Sequence, residues 1–290
     1  MNLPRISVVT PSLNQGKFLE QTILSVLGQG YANLEYIVID GGSSDGSLDI
    51  IHKYANQISY WVSEKDHGQA DALNKGFAKA SGEILCWINS DDFLLPGALL
   101  RLETEFRKED DLIYGACLSF SEAGRRCVIN RPPEHNYQEL CLIDYIVQPS
   151  SFWRRSLWEK VGPLDASLNY AFDWEWFIRA AKFGKFRHSE TIFSAYRFHA
   201  DHKSSTGGQQ RAKEICAVAE RSGDIRAKRA YDFVGKNIRI LRTSNQLRLR
   251  FEGRGLSTCQ SLARWVYPSL WRMPVGIEFS TVQAAFRMIG

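Results

Sequence analysis

In the segment EILCWINSDD, residues 83–92, an apolar run ends on two adjacent carboxylates. A short apolar run of this kind is typical of a buried strand. Adjacent charges at the end of such a strand are costly unless a cation or another polar partner balances them. Ligands of open α/β sheets bind at the carboxyl ends of the strands. Asp91 and Asp92 are therefore candidates for holding a metal ion or a charged ligand.

A second strand ends in the same way, because LEYIVID, residues 34–40, runs into the glycine-rich segment GGSSDG. The residues between and around these strands alternate between strand and helix patterns, and Ser43 or Ser44 is expected to cap the helix that follows Asp40. This alternation predicts an α/β fold with a parallel, Rossmann-like sheet and right-handed crossovers. Along the chain we expect strands at 6–10, 34–40, 58–62 and 83–89, with helices at about 15–28 and 69–80 and, between them, a helix that has Leu48, Ile51 and Tyr54 on one face.

The second half of the chain is less regular. A helix is expected after Pro96 and another near Asp173, with a late strand that leads to His199. The expected elements are a helix at 97–108, strands at 111–120 and 125–130, a helix or loop at 133–147, helices at 154–161 and 173–181, and a strand at 193–199.

The bulk composition is that of a soluble globular protein, with 44% apolar and 23% charged residues in a chain of 290. The six cysteines have no metal-ligand spacing, so we expect reduced thiols in a cytoplasmic protein. Residues 1–5 lead straight into the first strand, which predicts no signal peptide, and no run of about 18 apolar residues is present.

The charge is divided unevenly along the chain. Residues 1–220 carry a net charge of −5, whereas residues 221–290 carry +9. We expect domains at 1–208 and 209–290, the second a basic helical extension that binds an anionic membrane surface or caps the first. Nucleic acid is not an expected partner, because the body is acidic. The extension's basic and aromatic residues are Arg239, Arg242, Arg248, Arg250, Arg254, Arg264, Arg272, Trp265, Tyr267 and Trp271.

The ends of the first two strands offer groups for a nucleoside. Thr10, Pro11 and Ser12 present hydroxyls and backbone N–H groups that suit a base or ribose, although an ordinary βα turn would look the same. Asp40 can accept from a ribose hydroxyl or a base N–H, and Gly41 allows a ligand to approach the backbone. The first turn has no G-x-G-x-x-G pattern, which argues against a dinucleotide-dependent dehydrogenase.

Other candidate residues have structural alternatives. Asn89, Ser90, Asp91 and Asp92 suit a cation bound to a diphosphate, or a helix N-cap before Pro96. Asp173 begins a helix that carries Trp174 and Trp176. It suits a general base, beside aromatic faces that could stack on a sugar, or a carboxylate that interacts with the helix dipole. Remaining candidates are His199 and, with less support, His202 as metal or phosphate ligands, and Asp66, Asp71 and Asn74 as nucleoside contacts or helix caps.

Taken together, these stretches resemble the family 2 glycosyltransferases of the GT-A fold. The resemblance covers residues 5–205 in the right order. The matching stretches are VVTPSLNQG at 8–16, EYIVIDGGSSDGS at 35–47, DHGQADALNKG at 66–76, NSDD at 89–92 through Pro96, QPS at 148–150 and DWE at 173–175.

The resemblance implies an inverting, non-processive transferase that uses a nucleotide-diphosphate sugar and a divalent cation, Mn²⁺ or Mg²⁺. Asp40 would bind the nucleoside, and Asp91 would hold the metal beside Asp92. Asp173 would take the proton from the acceptor hydroxyl. The expected acceptor is a glycan or a lipid-linked glycan of a surface polysaccharide pathway, and the expected location is the cytoplasmic face of the membrane.

The chain departs from the family pattern at two positions. The family often has a second Asp where this chain has Gly41, so base contacts are expected to shift, and the first acid of the DxD pattern is Asn89. The processive Q-x-x-R-W pattern is absent. The rival functions are a nucleotidyltransferase that makes the sugar nucleotide, for which residues 10–17 offer only Lys17 to grip a triphosphate, and a non-catalytic sugar-nucleotide-binding protein.

Overall fold

The computed structural model describes most of the chain. By their contacts the residues fall into two compact units, one of residues 1–137 with 145–206 and one of residues 138–144 with 207–290. For residues 239–251, 279 and 289 the structure describes the backbone only. The described backbone comprises residues 3–122, 124, 127–199, 202–203, 207–251 and 279–289.

A mixed sheet forms the first unit. Its spatial order is β3-β2-β1-β4-β8-β6-β9-β5, and β7 pairs with β6. The expected parallel arrangement of the first four strands is confirmed, whereas β8 pairs antiparallel with both β4 and β6. The strands are β1 Ile6–Ser12, β2 Leu34–Asp40, β3 Tyr60–Ser63, β4 Ile84–Trp87, β5 Phe93–Leu94, β6 Leu112–Ser121, β7 Cys127–Asn130, β8 Ser151–Arg154 and β9 Phe186–Phe198.

Helices cover the sheet and meet it closely. Gly76 shows how closely, because a Cβ atom at this position would collide with Val9 Cγ1 of β1. The helices of the first unit are α1 Gly16–Leu27, α2 Ser47–Tyr54, α3 Gln69–Lys79, α4 Ala98–Glu105, α6 Arg155–Val161 and α7 Phe172–Ala181. The short helix α5, Tyr137–Leu140, belongs to the second unit except for its first residue.

Strand β1 runs further than the sequence predicted, through Pro11 to Ser12. Proline is tolerated here because the ladder with β4 ends at Val9, so the missing N–H of Pro11 faces the side where β4 has already stopped. On the other side, Ser12 O accepts from the N–H of Gly41, which keeps β1 and β2 paired to their ends.

The aromatic residues around α7 form core rather than a sugar-binding surface. Trp174 and Trp176 are buried, at 1% and 0% exposure, so the expectation that their faces stack on a sugar is wrong. Trp176 packs on Trp153 of β8 at 5.0 Å and donates from Nε1 to Gly162 O. Their burial anchors the start of α7, where Asp173 lies.

Helices make up the second unit in its described part. They are α8 Gly208–Arg221, α9 Ile225–Phe251 and α10 Phe279–Ile289. Tyr231 of α9 donates to Leu142 O, and Arg211 of α8 donates to Met288 O of α10. None of the described helices is long and apolar enough to cross a membrane. Of the expected membrane-binding residues, Arg254, Arg264, Trp265, Tyr267, Trp271 and Arg272 lie outside the described residues, as do the side chains of Arg239, Arg242, Arg248 and Arg250.

Candidate active site

The carboxyl ends of β1 and β2 are joined into one platform by side chains of the two loops that follow them. Asn14, with a φ of 52°, accepts at Oδ1 from Ser44 N and donates its own N–H to Ser43 Oγ. Asp45 accepts from Gly16 N and from Ser47. Ser43 and Ser44 therefore bind the neighbouring loop, and the expectation that one of them caps α2 is wrong, since α2 begins after Gly46 with no side-chain cap.

The predicted nucleoside contacts of β1 lie beneath this platform. Thr10 is buried, and its Oγ1 accepts from the hydroxyl of Tyr36 at 3.1 Å. Burial raises the pKa of that tyrosine well above its ordinary value. The Ser12 hydroxyl is buried and has no hydrogen-bond partner within the described part of the chain, and Pro11 is buried beside it.

Asp40 is fully buried at the end of β2 and is held by donors on both oxygens. Its Oδ2 accepts from Gly42 N at 3.1 Å, Ser43 N at 2.9 Å and Ser63 Oγ at 2.7 Å. Its Oδ1 accepts from Ser43 Oγ at 2.5 Å. These bonds shape the loop that begins with Gly41.

Asp66 lies over that same loop. Its Oδ1 accepts from Gly68 N at 2.9 Å, while Oδ2 accepts no hydrogen bond from a described residue. A Cβ atom at Gly41 would stand 2.5 Å from Asp66 Oδ2, so the absence of a side chain at Gly41 makes room for this carboxylate.

The other two candidates of this region have structural partners. Asp71 accepts from His67 N at 3.0 Å and lies 3.5 Å from Lys75 Nζ. The hydrogen bond from His67 lowers the pKa of Asp71. Asn74 donates to Leu164 O and accepts from Leu164 N, which ties α3 to the segment before α7. This geometry favours the capping and bracing alternatives for both residues.

The turn after β4 separates its two carboxylates into different environments. Asp92 is buried at 1% exposure, and its Oδ1 accepts from Arg197 N at 3.0 Å. Burial, with the nearby charge of Asp91, raises the pKa of Asp92. The turn itself is held by Thr22 of α1, whose hydroxyl lies 2.9 Å from Ser90 O and 2.6 Å from Asp92 O.

Asp91 is the carboxylate that faces outward, with 19% of its side chain exposed. Its Oδ2 lies 3.0 Å from His199 Nε2, which packs against Phe18 at 4.7 Å between ring centroids. The structure thus brings together the two predicted metal ligands from positions 108 residues apart. His202 lies next to them, with its ring centroid 6.0 Å from that of His199.

This donor set fits a divalent cation that binds mainly through a substrate. Mg²⁺ is usually bound by one or two protein carboxylates and completed by substrate phosphates and water, and imidazole is a common ligand of transition metals. Asp91 and His199 supply one oxygen and one nitrogen. Across the described residues, no cluster of three or more His, Cys, Asp or Glu side chains forms a complete protein cage.

Arg197 is a site residue that the sequence reasoning missed. It is 8% exposed, and its guanidinium lies 4.7 Å from the ring of Phe18 and 5.0 Å from that of Phe120. Its Nε donates to Asp91 O at 3.0 Å. The buried guanidinium of Arg197 therefore lies next to the Asp91–Asp92 turn and balances the negative charge of its carboxylates. The available signal was an arginine between two aromatic residues, Tyr196 and Phe198, near the end of the predicted strand.

A second missed group links Asn89 to the far side of the site. Asn89 Oδ1 accepts from Gln69 Nε2 at 2.8 Å, and Gln69 Oε1 accepts from Lys203 Nζ at 3.0 Å. Lys203 also stands 5.5 Å from the ring of Phe172, the residue before Asp173. Phe172 lies 6.4 Å from Trp87, the last residue of β4. These contacts bring the start of α7 to the carboxyl end of β4.

Asp173 occupies the first turn of α7 and is half-buried. Its Oδ1 accepts from the N–H of Trp174 at 2.8 Å. The buried aromatic rings on either side hold the helix start in place. Asp173 therefore lies at the helix start that the contact between Phe172 and Trp87 connects to the end of β4.

Comparison with known proteins agrees with this architecture. Residues 7–161 match the family model described as glycosyl transferase family 2. An uncharacterized glycosyltransferase of Nostoc sp. is 27% identical over 239 residues, which cover 74% of this chain and 72% of the relative. A PGL/p-HBAD biosynthesis glycosyltransferase of Mycobacterium bovis is 28% identical over 185 residues, covering 62% of this chain and 70% of the relative.

Two solved structures share the fold at low sequence identity. S. aureus TarS 1–349 in complex with UDP-GlcNAc is 18% identical with a TM-score of 0.63, over 86% of this chain and 77% of that one. The mannosyltransferase PcManGT from Pyrobaculum calidifontis, in complex with GDP-Man and Mn²⁺, is 18% identical with a TM-score of 0.65, over 100% of this chain and 86% of that one. With its GT-A sheet and a family model that spans more than half of its length, the chain belongs to glycosyl transferase family 2 and is a glycosyltransferase.

Proposed function

We propose that the protein transfers a sugar from a nucleoside-diphosphate donor to an acceptor hydroxyl with inversion at the anomeric carbon. The observation that carries the proposal is the outward-facing Asp91 carboxylate, 3.0 Å from His199, at the carboxyl end of β4 in a family 2 glycosyltransferase. Ligands of open α/β sheets bind at this end of the strands.

Asp91 and His199 would hold a divalent cation, Mn²⁺ or Mg²⁺, through one oxygen and one nitrogen. When bound, such a cation neutralises negative charge on a leaving diphosphate. Asp92 and Arg197 would position Asp91. Asp92 is buried next to it in the turn, and Arg197 Nε donates to the backbone oxygen of Asp91. PcManGT, a protein of the same fold, is described with GDP-Man and Mn²⁺, which supports a cation of this kind.

Asp173 would act as general base. As the acceptor oxygen attacks the anomeric carbon, the bond from that carbon to the diphosphate oxygen breaks, and the hydroxyl proton passes to the Asp173 carboxylate. A single displacement of this kind inverts the anomeric configuration and requires no nucleophile from the enzyme. The nucleoside would lie over the ends of β1 and β2, near Ser12, Gly41 and Asp66.

The acceptor would be a glycan or a lipid-linked glycan. A mycobacterial relative is described as a PGL/p-HBAD biosynthesis glycosyltransferase, which supports a glycolipid or surface-glycan acceptor. The net charge of +9 on residues 221–290 supports contact with an anionic surface, which would hold the enzyme at the cytoplasmic face of the membrane.

The proposal is tested with purified protein, first by calorimetric titration with UDP, GDP and dTDP, with and without Mn²⁺. We expect one nucleotide to bind tightly only when Mn²⁺ is present, and Asp91→Asn to lose the metal-dependent part. Release of the diphosphate from the matching nucleotide sugars then reports turnover. Glu109→Gln, which removes an exposed carboxylate in the loop before β6, is the matched control.

The contradicting result is equally clear. Well-folded protein that binds none of the three nucleotides with Mn²⁺ would overturn the proposed donor. Tight binding without release of diphosphate from any nucleotide sugar, in the presence of lipid-linked and glycan acceptors, would overturn the catalytic assignment.

A further inference from the structure

We propose that the aromatic rings of Tyr196 and Phe198, at the end of β9, form a platform on which a pyranose ring of the acceptor stacks. The inference rests on the proposed function, because it places the acceptor beside the same reaction centre. A pyranose carries hydroxyl groups at its rim and C–H groups on its two faces. An aromatic side chain covers such an apolar face, while neighbouring polar groups bind the hydroxyls.

The platform is a group of adjoining rings at the protein surface. Phe198 is 38% exposed and Tyr196 is half-buried, and their ring centroids lie 5.0 Å apart with 73° between the planes. The ring of His202 lies 5.4 Å from that of Phe198 and 6.1 Å from that of Tyr196. A single exposed phenylalanine is ordinary on a protein surface. Three adjoining rings offer a larger apolar area, which suits a ligand of the size of a sugar ring.

Strand β9 directs the platform to one face of the sheet. Successive side chains of a strand point to opposite faces, so Tyr196 and Phe198 share a face that Arg197 does not. The guanidinium of Arg197 packs on the ring of Phe18 in α1 at 4.7 Å. The platform therefore lies on the face opposite α1.

Helix α7 lies on the same face as the platform. The crossovers β1–α1–β2 and β3–α3–β4 run in opposite directions along the sheet, and right-handed crossovers of opposite direction put α1 and α3 on opposite faces. Trp153 of β8 contacts both Phe77 of α3, at 5.6 Å, and Trp176 of α7, at 5.0 Å. Helix α7, which carries Asp173, is thus on the face of α3 and of the platform.

The neighbouring strands add both apolar and polar groups to this face. In the register of the sheet, Ser119 of β6 lies between Tyr196 of β9 and Val128 of β7. Val128 is 52% exposed, and Asn130 of β7 donates from its amide to the Ser119 hydroxyl. A surface of rings and a methyl-bearing side chain beside an amide and a hydroxyl matches the two kinds of group that a sugar presents.

The segment after β9 connects the platform to the reaction centre. The ring of His202 lies 6.0 Å from that of His199, the candidate metal ligand. Lys203, the next residue, lies 5.5 Å from the ring of Phe172, which precedes Asp173. In the sheet order β2-β1-β4-β8-β6-β9, the platform and the strands that would hold the nucleoside lie on opposite sides of β4. A sugar on the platform is therefore on the acceptor side of the reaction centre.

The test uses the full-length protein with Mn²⁺ and the nucleoside diphosphate that binds it most tightly. The probes are the methyl pyranosides of glucose, galactose, mannose, N-acetylglucosamine and rhamnose at millimolar concentrations. Saturation-transfer NMR detects their binding and shows which protons lie against the protein. We expect at least one of them to bind, with the strongest transfer to C–H protons on one face of the ring.

Three variants examine the ring of Phe198. Phe198→Leu keeps an apolar side chain but removes the ring, and it should weaken binding of the probe about 5- to 10-fold, with nucleotide affinity and thermal unfolding unchanged. Phe198→Tyr keeps the ring and should bind the probe as the wild type does. Phe183→Leu makes the first substitution at another exposed phenylalanine, after α7, and should have no effect. Where a probe is also a substrate, Phe198→Leu should raise its KM by the same factor and leave kcat unchanged.

The outcomes separate the inference from the proposed function. If no nucleoside diphosphate binds to the folded wild type, the proposed function fails, and the inference fails with it. If a nucleotide binds but none of the methyl pyranosides does, the donor site stands and the inference is wrong. It is also wrong if Phe198→Leu binds the probe as tightly as the wild type, or if Phe183→Leu weakens binding to the same extent.

A last comparison separates a sugar from a lipid chain as the occupant of the platform. Octyl β-glucoside and octyl β-galactoside are measured beside the methyl glycosides. If only the octyl compounds bind, with the saturation transfer confined to their alkyl chains, the platform takes a lipid chain and the inference is wrong.

Discussion

Two carboxylates at opposite ends of the sheet, Glu35 and Asp91, differ in how far their hydrogen-bonding capacity is used. Glu35, near the start of β2, accepts from Ser7 Oγ at 2.5 Å and from the N–H and hydroxyl of Ser81 at 2.6 and 2.8 Å, and it pairs with Arg5 at 3.2 Å. Asp91 has one side-chain partner among the described residues, His199.

Glu35 serves the fold, whereas Asp91 remains available to a ligand. Burial alone would raise the pKa of Glu35, but the bonds from Ser7 and Ser81, with the charge of Arg5, hold it below the ordinary value. Glu35 is thus stabilised as an anion and ties β1, β2 and the start of β4 together. Asp91 keeps lone pairs free, and we expect its replacement to affect chemistry and Glu35 replacement to affect stability.

The largest effect is expected for Asp173→Asn. Loss of a general base lowers turnover by roughly 10²- to 10⁴-fold, with nucleotide affinity and thermal unfolding close to wild type. Diphosphate release in the presence of acceptor is the measurement. Turnover within a few-fold of wild type would remove Asp173 from the mechanism.

Asp91→Asn removes the negative charge of the carboxylate that is available to a ligand. We expect turnover to fall by about 10²- to 10³-fold, the usual cost of removing a group that stabilises developing charge. The unfolding free energy should change little, because the side chain of Asp91 has one polar partner, His199, in the part of the chain that the structure describes. A large loss of stability with unchanged turnover at saturating Mn²⁺ would place Asp91 in the same class as Glu35.

Glu35→Gln should show the opposite pattern. The amide NH₂ group would face donors, so we expect a loss of about 2–3 kcal/mol in the free energy of unfolding at pH 7. Turnover at 25 °C should be unchanged. Urea denaturation and diphosphate release measure the two quantities, and a variant as stable as wild type would contradict the structural role.

The pH dependence of that loss has a defined sign. The folded pKa of Glu35 is lowered, so its ionised form stabilises the protein above the unfolded pKa of about 4.3, and this contribution disappears as the pH falls through the folded value. The gap between wild type and Glu35→Gln should therefore narrow as the pH falls below about 4. A gap that widened instead would show that the charge of Glu35 is not what stabilises the fold.

Asp40→Asn is the smallest of these effects and tests a carboxylate that lies at the ligand end but is bonded like Glu35. An amide oxygen in the place of Oδ2 keeps the bonds from Gly42, Ser43 and Ser63, and the Ser43 hydroxyl can turn to accept from the new NH₂ group. We expect a stability loss of about 1–2 kcal/mol and less than a threefold change in nucleotide affinity. A 100-fold loss of affinity with intact stability would return Asp40 to the nucleoside contacts.

The parallel half of the sheet was predictable because its strands are short apolar runs separated by amphipathic helices. Strand β9 was predicted only from residue 193, since its first part, Phe186–Glu190, contains Arg187, His188, Ser189 and Glu190. Two of those polar residues have partners on other elements, since Arg187 binds Asp110 at 2.6 Å and Ser189 donates to Glu105. Sequence periodicity cannot show partners that lie 77 positions away.

The site was predictable in its residue types and less so in its contacts. Asp91 and His199 were both expected as metal ligands, but their hydrogen bond depends on β9 returning beside the β4 turn. Arg197 was missed because the aromatic rings that its guanidinium packs against come from three separate elements. They belong to Phe18, Phe93 and Phe120. The capping of α2 was wrong because Ser43 and Ser44 bind a neighbouring loop, a choice that local turn chemistry does not reveal.

The antiparallel strand β8, inserted between β4 and β6, has a consequence for how the chain assembles during synthesis. Chains emerge from the ribosome N-terminal end first, so β1 to β4 can pair while residues 151–154 are still to be made. Until then the outer edge of β4 offers unpaired backbone groups on an apolar strand, which is where strands of other chains attach. We expect this interval to be the stage at which the nascent protein is most prone to aggregate, and the pairing of Asp91 with His199 to be among the last contacts that form.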